Sequence, residues 1–412
     1  MVVKQELSAT NLFFLWFGAA ISAAEILTGG FLADLGMIKG LWAILLGHLV
    51  GTFLLVMGGI IGYRERLPAI MSTRISFGKQ GSYLISLINI LQLIGWTSIM
   101  IIVGGNAINS VAKSLWGFDH PHLAACVIGL FIGFWVFVGI QGFKTLNMVA
   151  VSLLLVLTVV MSVVVLIQPM NVSGIKSSGT FGAGFELSII MPLSWFPLIA
   201  DYTSMGRSEK GSWLAPFAGY FIGSCWMYAI GLIGGIFSGS PDPTHMMVAA
   251  RLGIVAMLII GLSTITTTFL DVFSAAVSTL NIFPKINRRG AAVGYALAGT
   301  VLAMFFPMEE YTSFLYILGS VFAPLIAILL DDYFLLKVDL RNRRGDVAAG
   351  LSMGIGIAFY YLIKPFDIAI GPTLATILFT LALHPVLRRI MKKGSRTPGV
   401  RGSDSTELKY TS

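Results

Sequence analysis

Long apolar runs, separated by short polar clusters, extend along the whole chain. Residues 80–112, 145–175 and 211–241 contain no Asp, Glu, Lys or Arg. A helix needs about 20 mostly apolar residues to cross the hydrocarbon core of a bilayer, so each run is long enough to cross once. Breaks at charged or Pro/Gly-rich clusters divide the chain into twelve candidate spans, near 11–33, 40–62, 82–110, 121–140, 147–168, 184–203, 212–237, 248–276, 291–306, 311–333, 346–363 and 368–387. The ninth is short and the last two lie close together, so this pattern by itself leaves eleven open. Leu, Val, Ile and Phe fill the segments without the alternation that a membrane β-barrel requires. The expected fold class is an all-α integral membrane bundle of about twelve helices.

Composition agrees. Apolar residues make up 56% and charged residues 11% of 412, against about 25% charged in soluble domains. A soluble enzyme and a disordered protein are excluded. The net charge of +8 acquires meaning from its placement. With a cytoplasmic N-terminus, 22 of the 27 Lys and Arg fall in inside segments, and only Lys39, Lys113, Lys176, Arg251 and Lys364 fall outside. That bias puts both termini in the cytoplasm and favours an even count, hence twelve. The basic tail from Arg388 reads as a solvated end facing anionic lipid, and no nucleic-acid partner is expected. The polar start MVVKQELSATN is not a cleavable signal. Cys126 and Cys225 lie in apolar runs and suggest neither disulfide nor zinc. No histidines pair as a metal site would need, and His48 reads as a packed polar residue.

Function must therefore lie inside the bundle, where a charge is costly and marks a cavity or a partner. Glu25 is the only charge between Glu6 and Asp34, and Asp271 the only one between Arg251 and Lys285. Glu186 opens span 6 and Asp201 closes it. Glu25 sits in GAAISAAEILTGG, a stretch weak as a continuous helix. An unwound turn there would free carbonyls for a cation and aim half-helix dipoles at a substrate. Small-residue packing explains the glycines and alanines but not the acid. In span 6, Pro192 and Pro197 each remove a backbone donor and predict a second broken or strongly kinked helix. Broken helices at matching places in two halves point to a transporter site. Asn89, Gln92, Trp96 and Met100 share one face of span 3. That face suits a cavity wall, or hydrogen bonds between helices. Trp96 and Trp195 are candidate aromatic walls. Ser263, Thr267, Asp271, Ser274 and Ser278 share one face of span 8, with oxygens that suit a dehydrated sodium ion and an acid that can bond an amino-pyrimidine edge or carry a proton.

The order of motifs resembles the nucleobase:cation symporter-1 family, near the bacterial cytosine permeases. The matching pieces are SAAEILTGG in span 1, RISFGKQGS at 74–82, IGW at 94–96, ADYT at 200–203 followed by GRS at 206–208, and DDY at 331–333. The acid in span 1 and LSTITTTFLD in span 8 are most similar to the hydroxymethylpyrimidine transporters of thiamine-precursor salvage. The resemblance implies two inverted five-helix repeats, as in leucine-transporter-like folds, plus two C-terminal helices. Its segments would be a cytoplasmic N-terminus 1–10, repeats 11–168 and 184–333, extra helices 346–387 and a tail 388–412. It implies a multi-pass protein of the bacterial inner membrane, with no enzymatic activity and no cofactor. Uptake of a small planar pyrimidine would be coupled to Na⁺ or H⁺. Glu25, Gln92, Trp96, Trp195 and Asp271 would contact substrate. Ile21 and Ala24 carbonyls with Ser263, Thr266 and Thr267 would hold Na⁺. Three departures stand out. Met100 replaces a polar residue of some members, the aromatic wall of span 6 aligns nearer Pro192, and Glu25 replaces an amide. Two acids in place of amides favour a donor-rich ring or proton coupling. Rival readings are a same-fold permease for cytosine, another nucleobase or an amino acid, and more remotely a membrane enzyme or a channel. The expected partners are substrate and lipid, with the oligomeric state unspecified.

Overall fold

The computed structural model describes residues 6–138, most of 152–167, 179–249 and 253–394. The side chains of Ser263 and Thr266 and the basic tail beyond residue 394 lie outside the described residues. A helix lies over every predicted span. The helices are α1 (Ala9–Ala20), α2 (Ala23–Gly30), α3 (Met37–Glu65), α4 (Arg74–Trp116), α5 (Pro121–Val138), α6 (Phe181–Ser194), α7 (Phe196–Thr203), α8 (Glu209–Ser238), α9 (Pro243–Ala249), α10 (Gly253–Ile282), α11 (Arg288–Ala303), α12 (Tyr311–Leu330), α13 (Val347–Ile363) and α14 (Gly371–Gly394). Span 5, placed at 147–168, lies partly outside the described residues, and those described within 152–167 are helical. Among the described residues, seven helical segments, with α6 and α7 counted as one, are long and apolar enough to cross a membrane, or eight with α1 and α2 taken together.

Span 1 breaks as its composition predicts. Ile21 leaves the helical region at ψ 81°, Ser22 is extended at φ −140°, ψ 157°, and the two halves meet at 51°. Ser22 restarts the helix by accepting the Glu25 N–H on its hydroxyl at 3.4 Å, the usual work of an N-cap serine. Span 6 differs from expectation. Its helix is interrupted only at Trp195, which keeps helical angles of φ −86°, ψ −8°, and the bend stays below 40°. Pro197 falls in the first turn of α7, where its missing N–H would have had no partner anyway. One proline inside a helix therefore loosens a turn without opening it.

The packing repeats itself. α1 and α2 pack on α8, and α3 packs on α6, α7 and α8. α4, α5, α10 and α11 pack on one another. Span 1 meets span 7 as span 6 meets span 2, and span 3 meets span 4 as span 8 meets span 9. Exchanging spans 1–4 with 6–9 therefore preserves the neighbours, as a duplicated unit requires. The result is two blocks, spans 1, 2, 6 and 7 against spans 3, 4, 8 and 9, with sparser packing between them. α12, α13 and α14 pack together, and α12 and α14 also pack against α6.

The predicted inside segments meet at one end of the bundle. Arg64 pairs with Glu209 at 2.6 Å, Arg66 donates to the carbonyls of Ser204 and Gly206, and Arg341 pairs with Glu65 at 2.9 Å. Arg341 also bonds Asp339 and holds that carboxyl below its usual range. Gly78 takes φ +70° so that Lys79 and Gln80 can donate backbone hydrogens to the carbonyls of Arg343 and Arg344. A Cβ at Gly78 would lie 2.9 Å from the Arg343 carbonyl oxygen, so the glycine of RISFGKQGS serves docking.

Candidate substrate and cation site

The break in span 1, α4, the α6–α7 junction and α10 converge on a tight cavity of ≈ 20 Å³. Its walls include Ser22, Ala24, Glu25, Trp96, Met100, Met191, Ser194, Trp195, Thr267 and Asp271. Such a small, mostly apolar enclosure with a few convergent polar groups is the usual form of a small-molecule site.

The two acids border the same space in different conditions. Glu25 is 1% exposed, and both its oxygens are taken: Tyr220 donates its hydroxyl to Oε1 and Ser224 donates to Oε2, each at 2.7 Å. Asp271 is 5% exposed, and among the described residues its carboxyl has no hydrogen-bond or ionic partner. A buried polar group without a partner is expensive, which sets the Asp271 carboxyl apart from that of Glu25.

The indole of Trp96 faces the cavity from α4. It is held edge-on by Phe314, with ring centroids 5.4 Å apart, and by Tyr311 at 6.2 Å. Trp195 borders the opposite side and packs edge-on against Trp16 at 5.8 Å. Fixed rings of this kind offer a flat apolar face without losing side-chain freedom on binding.

The polar face of span 3 divides. Trp96 and Met100 reach the cavity, whereas Asn89 donates to Ser278 Oγ at 2.8 Å and Gln92 donates to Asn89 Oδ1 at 2.8 Å and to the Ser194 carbonyl at 3.3 Å. Gln92 does not border the cavity; it joins α4 to the α6–α7 junction, because a buried amide satisfies itself on the nearest carbonyl. Of the expected cation ligands, Ala24 and Thr267 border the cavity. Ile21 is fully buried at the break. The Ala24 carbonyl lies inside α2 and also accepts the Thr28 hydroxyl at 2.7 Å. The side chains of Ser263 and Thr266 lie outside the described residues.

Two other acids lie away from the cavity. Glu186 accepts from the Tyr360 hydroxyl at 2.8 Å, the Thr373 N–H at 2.9 Å and the Thr373 hydroxyl at 2.6 Å, and so ties α6 to α13 and α14. Asp201 accepts the Ala69 N–H at 2.9 Å. Sequence reasoning missed the partners of Glu25. Tyr220, Ser224 and Tyr228 recur every fourth residue in a charge-free run, a polar stripe that could have been noticed. The S-A-A-E start of α2 also has the spacing of a capping box, although Glu25 spends its carboxyl on α8 instead.

Known proteins of similar sequence share this architecture. The family described as "Permease for cytosine/purines, uracil, thiamine, allantoin" matches residues 3–352. The cytosine permease of Escherichia coli K12 is 25% identical over 91% of both chains. The purine-uracil permease NCS1 of Arabidopsis thaliana is 23% identical over 92% of this chain and 68% of its own. The solved structure of Mhp1 in an inward-facing conformation superposes with a TM-score of 0.81 at 19% identity, covering 95% of this chain and 92% of that one. Mhp1 with bromovinylhydantoin bound, in a closed conformation, gives the same score and identity over 95% and 94%. These relatives are permeases and transporters rather than enzymes, and the chain belongs to the nucleobase:cation symporter-1 family of multi-pass membrane permeases.

Proposed function

We propose that this cation-coupled permease imports an amino-substituted pyrimidine, hydroxymethylpyrimidine, across the bacterial inner membrane with both termini in the cytoplasm. Import is driven by a Na⁺ or H⁺ gradient through alternating access. The observation that carries the reading is the free carboxyl of Asp271 in the cavity that Trp96 walls. A carboxyl can pair with a ring nitrogen and the adjacent amino group together, while the indole covers the ring face. Trp195 and Glu25 complete the substrate side. Ile21, Ala24, Ser263, Thr266 and Thr267 form the cation side in this reading. The segments 11–168 and 184–333 act as the two repeats. A coupling ion biases the open states only through unequal affinity for them, and a site at the span 1 break is suited to that, because the break lies between the two packed blocks.

The experiment is uptake of labelled hydroxymethylpyrimidine into proteoliposomes, with inward sodium or proton gradients and with unlabelled competitors. Saturable uptake that excess cytosine displaces weakly supports the assignment. Uptake of cytosine with no competition from hydroxymethylpyrimidine moves the substrate to the cytosine permeases' side of the family.

A further inference from the structure

The hydroxyls that border the cavity differ in where their hydrogens go. Ser194 donates to the Met191 carbonyl at 2.7 Å, one turn back along α6. Ser22 stands at the break of span 1, 5% exposed, and accepts the Glu25 N–H on its Oγ at 3.4 Å. A hydroxyl has one hydrogen to give besides the bonds it accepts. Among the described residues the hydrogen of Ser22 has no acceptor, although its side chain is buried at the cavity wall. Thr267 also keeps an uncommitted hydroxyl among the described residues, but it stands one turn from Asp271 on α10, on the cation side of the proposed site.

Ser22 and Asp271 are therefore complementary. The hydroxyl offers a donor from the block of spans 1, 2, 6 and 7, and the carboxyl offers acceptors from the block of spans 3, 4, 8 and 9. At ≈ 20 Å³ the cavity takes a water-sized body and is too tight for a six-membered ring, so the ring enters only when the walls part. A ligand that satisfies both groups then bridges the two blocks.

Hydroxymethylpyrimidine carries a group to match. In the proposed pose a ring nitrogen and the amino group pair with Asp271 and the indoles cover the ring. The hydroxymethyl oxygen is left on a rotatable arm, and burying it without a donor weakens binding. We propose that Ser22 is a specificity-determining residue that donates its hydroxyl hydrogen to the hydroxymethyl oxygen of the substrate. The inference rests on the substrate reading above and adds the contact that tells this pyrimidine from cytosine, which has no such arm. A site built to hydrogen-bond a substrate hydroxyl rejects the analogue that lacks it, because the protein group is then left unpaired.

The test is equilibrium binding to the purified full-length protein in lipid nanodiscs, measured by titration calorimetry. The two ligands are hydroxymethylpyrimidine and its analogue with methyl in place of hydroxymethyl, and the proteins are wild type, Ser22→Ala and Ser22→Thr. Wild type is expected to bind the hydroxymethyl compound about tenfold more tightly than the methyl one, and Ser22→Ala to bring that ratio to about one. Ser22→Thr keeps a hydroxyl and is expected to retain most of the ratio. Ser22→Ala also removes the cap of α2, which affects both ligands alike and leaves their ratio untouched. If Ser22→Ala fails to fold, Ser22→Gly, a milder loss at a helix cap, carries the same comparison. A ratio in Ser22→Ala or Ser22→Gly equal to that of wild type overturns the proposal, as does a wild type that binds the two compounds alike. In both cases the pyrimidine reading stands. A wild type that binds neither compound refutes that reading and the Ser22 contact with it.

Discussion

Asp271 and Glu186 are both buried carboxyls in the bundle, and their surroundings give them different work. Asp271 has no partner among the described residues, so removing its charge should cost little stability. Asp271→Asn is expected to lower or respecify pyrimidine uptake by tenfold or more with thermal unfolding unchanged, checked by uptake assays beside a melting curve. Glu186 satisfies three donors. Leaving buried donors unpaired costs about 1–3 kcal/mol each, so Glu186→Leu should lower the melting temperature by several degrees, while Glu186→Gln, which keeps an acceptor, should lower it less. Trp96→Ala should weaken substrate binding roughly tenfold, about 1.4 kcal/mol, and Trp96→Phe should recover part of that in an equilibrium binding assay. The sequence singled out both acids because a charge in an apolar run is conspicuous. It could not separate them, since partners lie in distant segments: Thr373 is 187 residues from Glu186. The amides of span 3 show the same limit. Asn89, Gln92 and Trp96 share a helical face, yet only the last reaches the cavity, because one helix face is wide enough to touch several neighbours.

At the scale of elements, small residues set how closely helices approach. A Cβ on Gly231 would lie 2.1 Å from the Ile26 carbonyl oxygen, and one on Gly29 would lie 2.3 Å from the Tyr228 carbonyl oxygen. The backbones of α2 and α8 therefore touch just beyond the Glu25 cluster. Gly231→Ala is expected to push the two helices apart and reduce the yield of monodisperse protein severely, measured by size-exclusion chromatography. The glycine pair 29–30 looks in sequence like part of a break, but in the structure the unwound turn sits at Ile21 and Ser22 and the glycines serve contact. Proline misled in a similar way. Pro192 and Pro197 predicted a broken or strongly kinked span 6, and the helix is interrupted at Trp195 alone, because a proline at a helix start fits the helical dihedrals and leaves no donor unmet. Where composition alone determines the outcome, as in the small-residue stretch of span 1 or the long apolar runs, the elements were legible; where the outcome depends on what lies opposite, they were not.

At the scale of the molecule, the charge pattern was informative, because segments that share one end of the bundle share their basic residues. Arg388 joins α14 to the end of α12 through Asp332 at 2.5 Å and to Asp346 at 3.2 Å, with His384 completing the cluster. Arg388→Met should strand Asp332 beside a single histidine and release the last helix from its anchor, seen as faster proteolysis near the C-terminus. The division into two packed blocks reaches further. Cys126 lies on α5 in one block and Cys225 on α8 in the other, and both thiols are free and partly accessible. Each packed block thus carries one label site. Spin or fluorescent probes attached there turn the unaltered chain into its own ruler, and each turnover of the carrier should register as a change in the separation they report.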